Sequence, residues 1–270
     1  LEFSINIPPF IPDNRGNKQE RYRILDHNGE ADALLLLCGP DEVADQVREF
    51  AGRAFKNVRL GEKSSKKWTH GFFFPDGVPQ DVADLCENLT EWLSIPTSPS
   101  LDISLSLDWY KQPNDDGELV HTPAGTLIYR TKYATEPTWS SSRQARRDLL
   151  TAMSGVIGTH PLFAQAAVIS SPPGSKGDGQ SFGEKLGPDV ATKTGLPFVA
   201  MHGPARPPQK EEIVRDVRDD FELSEVVRDP IILIDDVFHT GVTLESAARA
   251  ARRAGATAVL ALTAARTLRK

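Results

Sequence analysis

Cysteine is nearly absent from this chain: Cys38 and Cys86 are the two thiols among 270 residues. Two cysteines cannot staple a chain of this length, and they suit a reducing compartment. Long apolar runs are missing too. The longest, Ala33–Cys38, is strand-sized and falls far short of the roughly 18 residues that a membrane span requires. No His-x-x-x-His or Cys-x-x-Cys spacing occurs, which argues against a structural zinc site. Positive charge is in deficit, with 31 Lys and Arg against 37 Asp and Glu, a net charge of −6 and a pI near 5.6. That balance argues against a globally basic nucleic-acid surface, though not against a local patch. The chain opens Leu-Glu-Phe, without the charged and apolar regions of a secretory signal. The expectation is a cytoplasmic, acidic, globular protein with no membrane partner. The remaining composition is ordinary, 39% hydrophobic and 25% charged with a mean hydropathy of −0.34, which excludes a collagen-like or low-complexity chain.

Residues 1–20 read as an irregular, proline-bearing arm, and residues 21–100 as an N-terminal α/β region of unassigned role. Within that region Ala33–Cys38 is expected as a buried strand stopped by Gly39-Pro40. Helices are expected over 41–55 and 81–93, from the spacing of Val43, Val47 and Phe50, then of Val82, Leu85, Leu89 and Leu93. Between them, Lys63, Lys66 and Lys67 beside Trp68 could hold phosphate and stack a base, or simply form a solvated loop. Residues 96–100 are the best linker. Residues 101–270 then form a second domain with alternating strand and helix patterns, as in a parallel α/β sheet. Strands are expected over 101–107, 127–129, 166–170, 198–201, 231–234 and 258–262. Helices are expected over 144–157, 182–194 and 244–254. The polar stretch 203–221 is too long for a turn and suits a functional loop.

The informative segment runs from Ile231 to Thr243. Four apolar residues lead into Asp235 and Asp236, then through His239, Thr240, Gly241, Val242 and Thr243 into a helix. The strand delivers the acids to the carboxyl edge of the sheet, where α/β proteins bind ligands. Gly241 lets backbone amides approach an anion, the threonines add hydroxyl donors, and the helix end adds partial positive charge. That half suits a phosphate. Two carboxylates beside it need a different duty, namely sugar hydroxyls or a magnesium ion. A ribose phosphate satisfies both halves.

This segment resembles the phosphoribosyl pyrophosphate (PRPP) motif of type I phosphoribosyltransferases. The resemblance implies a parallel-sheet α/β fold of that type, carrying here an additional N-terminal α/β region. It gives Asp235 and Asp236 the ribose hydroxyls and Mg²⁺, and the turn from His239 to Thr243 the 5′-phosphate. His239 departs from the small residue usual at its position. It also implies a pyrophosphate loop at Ser171, Pro172, Pro173, Gly174 and Ser175, with Lys176 stabilising the leaving diphosphate. Glycines 174, 177 and 179 would free amides toward it. Residues 127–133, this loop, Pro207-Pro208-Gln209 and the Gly255-Ala256 exit are similar to the ComF-like branch, which is associated with DNA uptake and processing. The branch's Gly-Phe-Asn-Gln is here Gly179-Gln180-Ser181-Phe182.

The 203–221 loop holds Arg206, Gln209, Lys210, Arg215 and Arg218. Arg215 and Arg218 could close over substrate as a lid, or join a surface ion-pair network with the acids interleaved among them. Arg249, Arg252, Arg253, Arg266, Arg269 and Lys270 form a further cationic group, either a solvated face or a nucleic-acid contact. The expected activity is transfer of phosphoribosyl to a nitrogen nucleophile with release of pyrophosphate. The alternatives are a non-catalytic PRPP-responsive regulator and a DNA-processing-associated module. A homodimer stays open, and the acceptor is expected to be read by the hood and the N-terminal region.

Overall fold

A computed structural model describes residues 17–26, 31–133, 139–205 and 220–268. The N-terminal part holds strands β1 (Arg21–Asp26) and β2 (Ala33–Cys38), helix α1 (Asp41–Ala51), β3 (Lys56–Asn57), the single turn α2 (Glu62–Ser65), β4 (His70–Phe74) and α3 (Gln80–Asn88). Its strands form an antiparallel sheet in the order β1-β2-β4-β3. One face alternates Leu35 and Leu37 with Phe72 and Phe74, all fully buried beneath Val43 and Val47 of α1 and Val82 and Leu85 of α3. Both helices end earlier than the sequence periodicity suggests. Gly52, at φ 56°, closes α1, and α3 stops at Asn88 so that Leu93 enters a strand instead.

The second part comprises β5 (Leu93–Ile95), β6 (Ile103–Trp109), β7 (Lys111–Pro113), β8 (Leu119–His121), α4 (Pro123–Tyr133), α5 (Trp139–Thr159), β9 (Val168–Ser170), α6 (Phe182–Thr194), β10 (Met201–His202), β11 (Glu222–Leu223), β12 (Ile231–Phe238), α7 (Val242–Arg253) and β13 (Val259–Arg266). The architecture is thus mixed α/β. The central sheet has the order β5-β6-β13-β12-β9, with β6, β13, β12 and β9 parallel and β5 antiparallel at the edge. Phe198 adds a parallel bridge to Ile169. Parallel strands buried on both faces read as unbroken apolar runs, and Ile231–Ile234 is fully buried.

Further expectations change. Residues 127–129 are helical, inside α4, because Thr122 accepts from the Gly125 amide (3.0 Å) and Pro123 starts the helix, a strong N-terminal signal. β12 does not stop at Ile234. It continues through both acids to Phe238, paired with β13 from Asp235 to Phe238. Residues 96–100 join two paired strands of one sheet. Residues 17–20, expected as the end of an arm, are tied down: Gln19 donates its amide to Leu89 O, Glu20 to Cys38 O, and Ser94 to Asn17 O. Residues 1–16 lie outside the described part.

One continuous core joins the two sheets, running from Leu35 and Phe72 to Leu105 and Ile232. Within it sits a polar seam. Fully buried His160 shares a 3.0 Å hydrogen bond with Gln46 of α1, whose amide donates to Ser94 of β5 (2.8 Å). The Leu162 amide donates to His160 Nδ1 (3.3 Å), so the ring is neutral with its proton on Nε2. Burial pushes its pKa down to about 3. The unfolded value is about 6.5, so between those values the unfolded chain binds one more proton and stability falls as pH falls. Urea melts at pH 4 and pH 6 measure this: His160→Gln should flatten the slope by up to about 1.4 kcal/mol per pH unit relative to wild type.

Candidate functional site

The carboxyl ends of β6, β13 and β12 stand side by side, since Trp109 pairs with Arg266 and Phe238 with Arg266 in register. Buried Arg266 lies between the two rings, 5.2 Å from Trp109 and 5.4 Å from Phe238. One step back on β12, Asp235 and Asp236 are half-buried. Their backbone is braced locally: the Asp236 amide donates to Asp235 Oδ1 (2.8 Å) and the Val237 amide to Asp236 Oδ1 (2.9 Å). Desolvation, reinforced by the neighbouring Asp236 charge, pushes the Asp235 carboxyl well above the ordinary carboxylate range, while Lys132 pulls against it.

Lys132 is the residue the sequence reading left without a role. It lies near the end of α4, and its Nζ is 2.6 Å from Asp236 Oδ2 and 5.8 Å from the Phe182 ring centre. No local pattern could reveal this ion pair, because 104 residues separate the partners. The first turn of α6 packs over the acids as well. A side chain at Gly183 would place Cβ 2.7 Å from Asp235 Oδ1, so only glycine fits there without a shift.

Beyond Phe238 the chain enters α7 through Gly241 in the left-handed region, φ 80°. A Cβ here would be strained by that φ and would also meet the Phe238 ring at 2.8 Å. Gly241 is the N-cap position and supplies no side-chain cap, so the first turn of a 12-residue helix presents amides at this edge. His239 and Thr240 sit in the turn, and Val242 and Thr243 open α7. His239 Nδ1 is 2.9 Å from Thr267 Oγ1, which holds the imidazole toward the exit of β13. A cleft of about 350 Å³ opens beside the turn, bordered by Thr240, Gly241, Val242, Glu245 and Arg249.

The loop after β9 emerges next to β12, since Ser170 pairs with Leu233. Ser171, Pro172 and Pro173 are buried, Gly174 and Ser175 are half-buried, and Lys176 is exposed with no ion pair among the described residues. The glycine amides of this loop are not simply open to an anion. Gly177 donates to Gly174 O (3.0 Å), and Gly179 donates to Glu184 Oε1 (3.3 Å). Glu184 and Ser181 form a capping box at the start of α6, with Ser181 N to Glu184 Oε2 at 2.9 Å. Burial pushes the Glu184 carboxyl up, but hydrogen bonds from the Ser181 hydroxyl and from the Gly174, Ser181 and Gly179 backbone outweigh it, and the net shift is downward. The loop faces Met201, His202 and Gly203 across a cleft of about 440 Å³.

Arg206, Pro207, Pro208, Gln209, Lys210, Arg215 and Arg218 lie outside the described residues, as do Arg269 and Lys270. The base of that segment is a short antiparallel pair, β10 with β11. The described C-terminal cations have partners within the chain. Arg252 bonds Asp102 at 2.6 Å, and Arg253 donates to Phe221 O at 2.8 Å. Arg249 is 3.5 Å from Glu245. In the N-terminal part, Arg21 stacks over Trp68 at 5.2 Å, so that ring already carries a partner. Among the described residues no helix is long and apolar enough to cross a membrane.

No known family description matches the sequence, and no curated protein does either. Solved structures with similarity to the fold include a purine phosphoribosyltransferase from Pyrococcus horikoshii Ot3, at 15% identity over 47% of this chain and 73% of that one, TM-score 0.32. An adenine phosphoribosyltransferase from Trypanosoma brucei, in complex with AMP, pyrophosphate and ribose-5-phosphate, shares 14% identity over 64% and 86% of the two chains, TM-score 0.35. An orotate phosphoribosyltransferase from Aeropyrum pernix shares 14% over 57% and 71%, TM-score 0.32. At TM-scores this low, what these proteins bind stays a property of theirs, and function is read from this chain's own residues.

Proposed function

We propose that the chain binds PRPP with Mg²⁺ and transfers the phosphoribosyl group to a nitrogen nucleophile, releasing pyrophosphate. The observation that carries this reading is the junction of β12 and α7: two acids near the carboxyl end of a strand whose first half is buried, followed by a glycine-turned helix end without a side-chain cap. An anion suits the helix end and a diol suits the acids, as a sugar phosphate requires. The Asp235 and Asp236 carboxylates can each accept from a ribose hydroxyl.

The donor set also suits Mg²⁺. Two carboxylates offer hard oxygens, and no third acid, His or Cys joins them in a cluster among the described residues. The remaining coordination positions then fall to water and ligand oxygens, the usual arrangement for this ion. When bound, it offsets negative charge on the diphosphate. Lys132 must loosen its hold on Asp236 for the carboxylate to turn to ligand, so it positions the acid rather than competing with it permanently. His239, Thr240, Gly241, Val242 and Thr243 hold the 5′-phosphate, mainly through backbone amides. Ser171, Pro172, Pro173, Gly174 and Ser175 shape the diphosphate side, with Lys176 as its exposed cation and Arg215 and Arg218 as closing groups. Catalysis is by positioning and electrostatics. The ComF-like branch and a cytoplasmic setting belong to this proposal as well.

Titration calorimetry with PRPP and Mg²⁺ tests the shared core of this reading. Binding with micromolar affinity is expected, and no heat at millimolar ligand would overturn it. Pyrophosphate release on adding nitrogen bases distinguishes a transferase from a PRPP-responsive regulator.

A further inference from the structure

A diphosphate leaving a ribose held over Asp235 and Asp236 gathers negative charge beside two carboxylates, and a cation placed there lowers the barrier. The sequence analysis gave that task to Lys176, which is exposed. The tip of its loop packs on the backbone after β10: a Cβ at Gly177 would lie 2.9 Å from Gly203 O. Gly177, Asp178 and Gly179 border the cleft of about 440 Å³ together with Met201 and His202. Among the described residues, none of β12 or α4 lines that cleft. The loop also offers fewer donors than its glycines suggest, since the Gly177 and Gly179 amides are committed to Gly174 O and Glu184.

Lys132 stands closer to the chemistry. Its Nζ is 2.6 Å from Asp236 Oδ2 and 5.8 Å from the Phe182 ring centre. Phe182 opens α6 directly after the 171–181 loop, and the next residue, Gly183, closes over Asp235. The ammonium therefore lies where the end of the diphosphate loop meets the acids of the ribose site. The pair is open to water at its cationic end, with the Lys132 side chain 31% exposed, so exchanging partners costs little. A diphosphate offers several negative charges against the one on Asp236, and an ammonium on a four-carbon stem carries three donors that can follow it. Asp236 keeps the Val237 amide on Oδ1 when Lys132 turns away.

We propose that Lys132 is a catalytic residue, whose ammonium turns from Asp236 onto the diphosphate of bound PRPP and stays with it as it departs. The inference rests on the phosphoribosyl-transfer reading above, and it leaves Lys176 as a steering charge at the surface. In the reaction, the acceptor nitrogen lone pair forms the bond to the ribose anomeric carbon. The carbon–oxygen bond to diphosphate breaks, and its electron pair leaves with pyrophosphate. Lys132 keeps its protons and donates hydrogen bonds to the diphosphate oxygens, while any proton on the attacking nitrogen passes to water. The same movement releases Asp236 Oδ2 to a ribose hydroxyl, so one side chain opens the sugar site and neutralises the leaving group.

The test is calorimetry of the full chain with Mg²⁺ and two ligands: PRPP, which carries the diphosphate, and ribose-5-phosphate, which lacks it. Lys132→Met should weaken PRPP binding about tenfold to hundredfold, the worth of a charge-assisted hydrogen bond, and leave ribose-5-phosphate within about twofold. Lys132→Arg keeps the charge and should recover most of the PRPP affinity. Lys176→Met should weaken PRPP by less than about threefold, as an exposed charge screened by water does. Thermal melts report folding, and Lys132→Gln repeats the comparison should the methionine variant melt early. Wild type that binds neither ligand sinks the underlying reading. With PRPP bound by wild type, an unchanged affinity in folded Lys132→Met, an equal loss on both ligands, or a larger loss in Lys176→Met overturns this inference alone.

Discussion

Asp235→Asn should produce a chain that melts later and binds PRPP worse. Asp235 sits desolvated beside a second carboxylate, and its raised pKa records the repulsion and the lost hydration. Asparagine has the same shape and can still accept from the Asp236 amide through its side-chain oxygen, the 2.8 Å contact seen in the native site. Removing the charge should stabilise the fold by about 1 kcal/mol, or about 2–4 °C in Tm for a chain of this size. The pH dependence has a definite sign. Above the unfolded value of about 3.9, the folded chain keeps a proton that the unfolded chain has released, so stability falls as pH rises toward the elevated folded value. The variant should lack that decline, and melts across pH 4–8 would show it. Its PRPP affinity should drop about tenfold to hundredfold, the worth of one charge-assisted hydrogen bond. Asp235→Ala combined with Asp236→Ala should leave no measurable heat. A single Asp235→Asn variant that is both less stable and fully competent would remove the acid pair from the site.

Gly125→Ala should be the most damaging single-methyl change in the second part of the chain. α4 crosses so close to the end of β6 that a Cβ at position 125 would lie 1.9 Å from Tyr110 O and 2.8 Å from its carbonyl carbon. Both obstacles are backbone, so no side chain can rotate away and the helix must move. A loss of about 3 kcal/mol, roughly 6–12 °C in Tm, is expected from overpacking of this severity. Because α4 carries Lys132, the displacement should also weaken PRPP binding. Gly155→Ala on α5 is the control. Nothing stands within 4 Å of its Cβ, and an exposed mid-helix alanine should add up to about 1 kcal/mol. Melting temperatures of the pair should move in opposite directions from wild type while only Gly125→Ala weakens PRPP binding, and equal melting temperatures would refute the close-approach account.

Some of this was legible in the chain itself. Ala33–Cys38 and Phe182–Thr194 form a strand and a helix over the very residues that their patterns indicated. The first is an apolar run closed by Gly39-Pro40, and the second is started by a Ser181–Glu184 capping box. The Ile231–Thr243 element was legible for the same reason: its parts are contiguous, and each is encoded by a neighbour. Where reading failed, the deciding contact was remote. Leu127 to Tyr129 looks like a short strand until the Thr122 cap and the close packing against Tyr110 make it helix. Leu93 continues a helical period, but pairing with Ser106 claims it for the sheet.

The sequence by itself determined the acid pair, the glycine turn and the helix that follows, because local chirality, capping and apolar periodicity act over a few residues. Only the tertiary structure decided what surrounds them. Lys132 reaches Asp236, Gly183 closes over Asp235, and Glu184 takes up amides of the 174–181 loop. The scarcity of cysteine and of positive charge likewise acquires its meaning in space. Without disulfides the two sheets are held by one apolar core and a buried His160–Gln46–Ser94 seam. The described cations of the C-terminal segment pair with carboxylates, carbonyls and rings of the same chain. Such partners lie many residues apart, and burial brings them together only after the chain has paid the entropy of closing the loops between them.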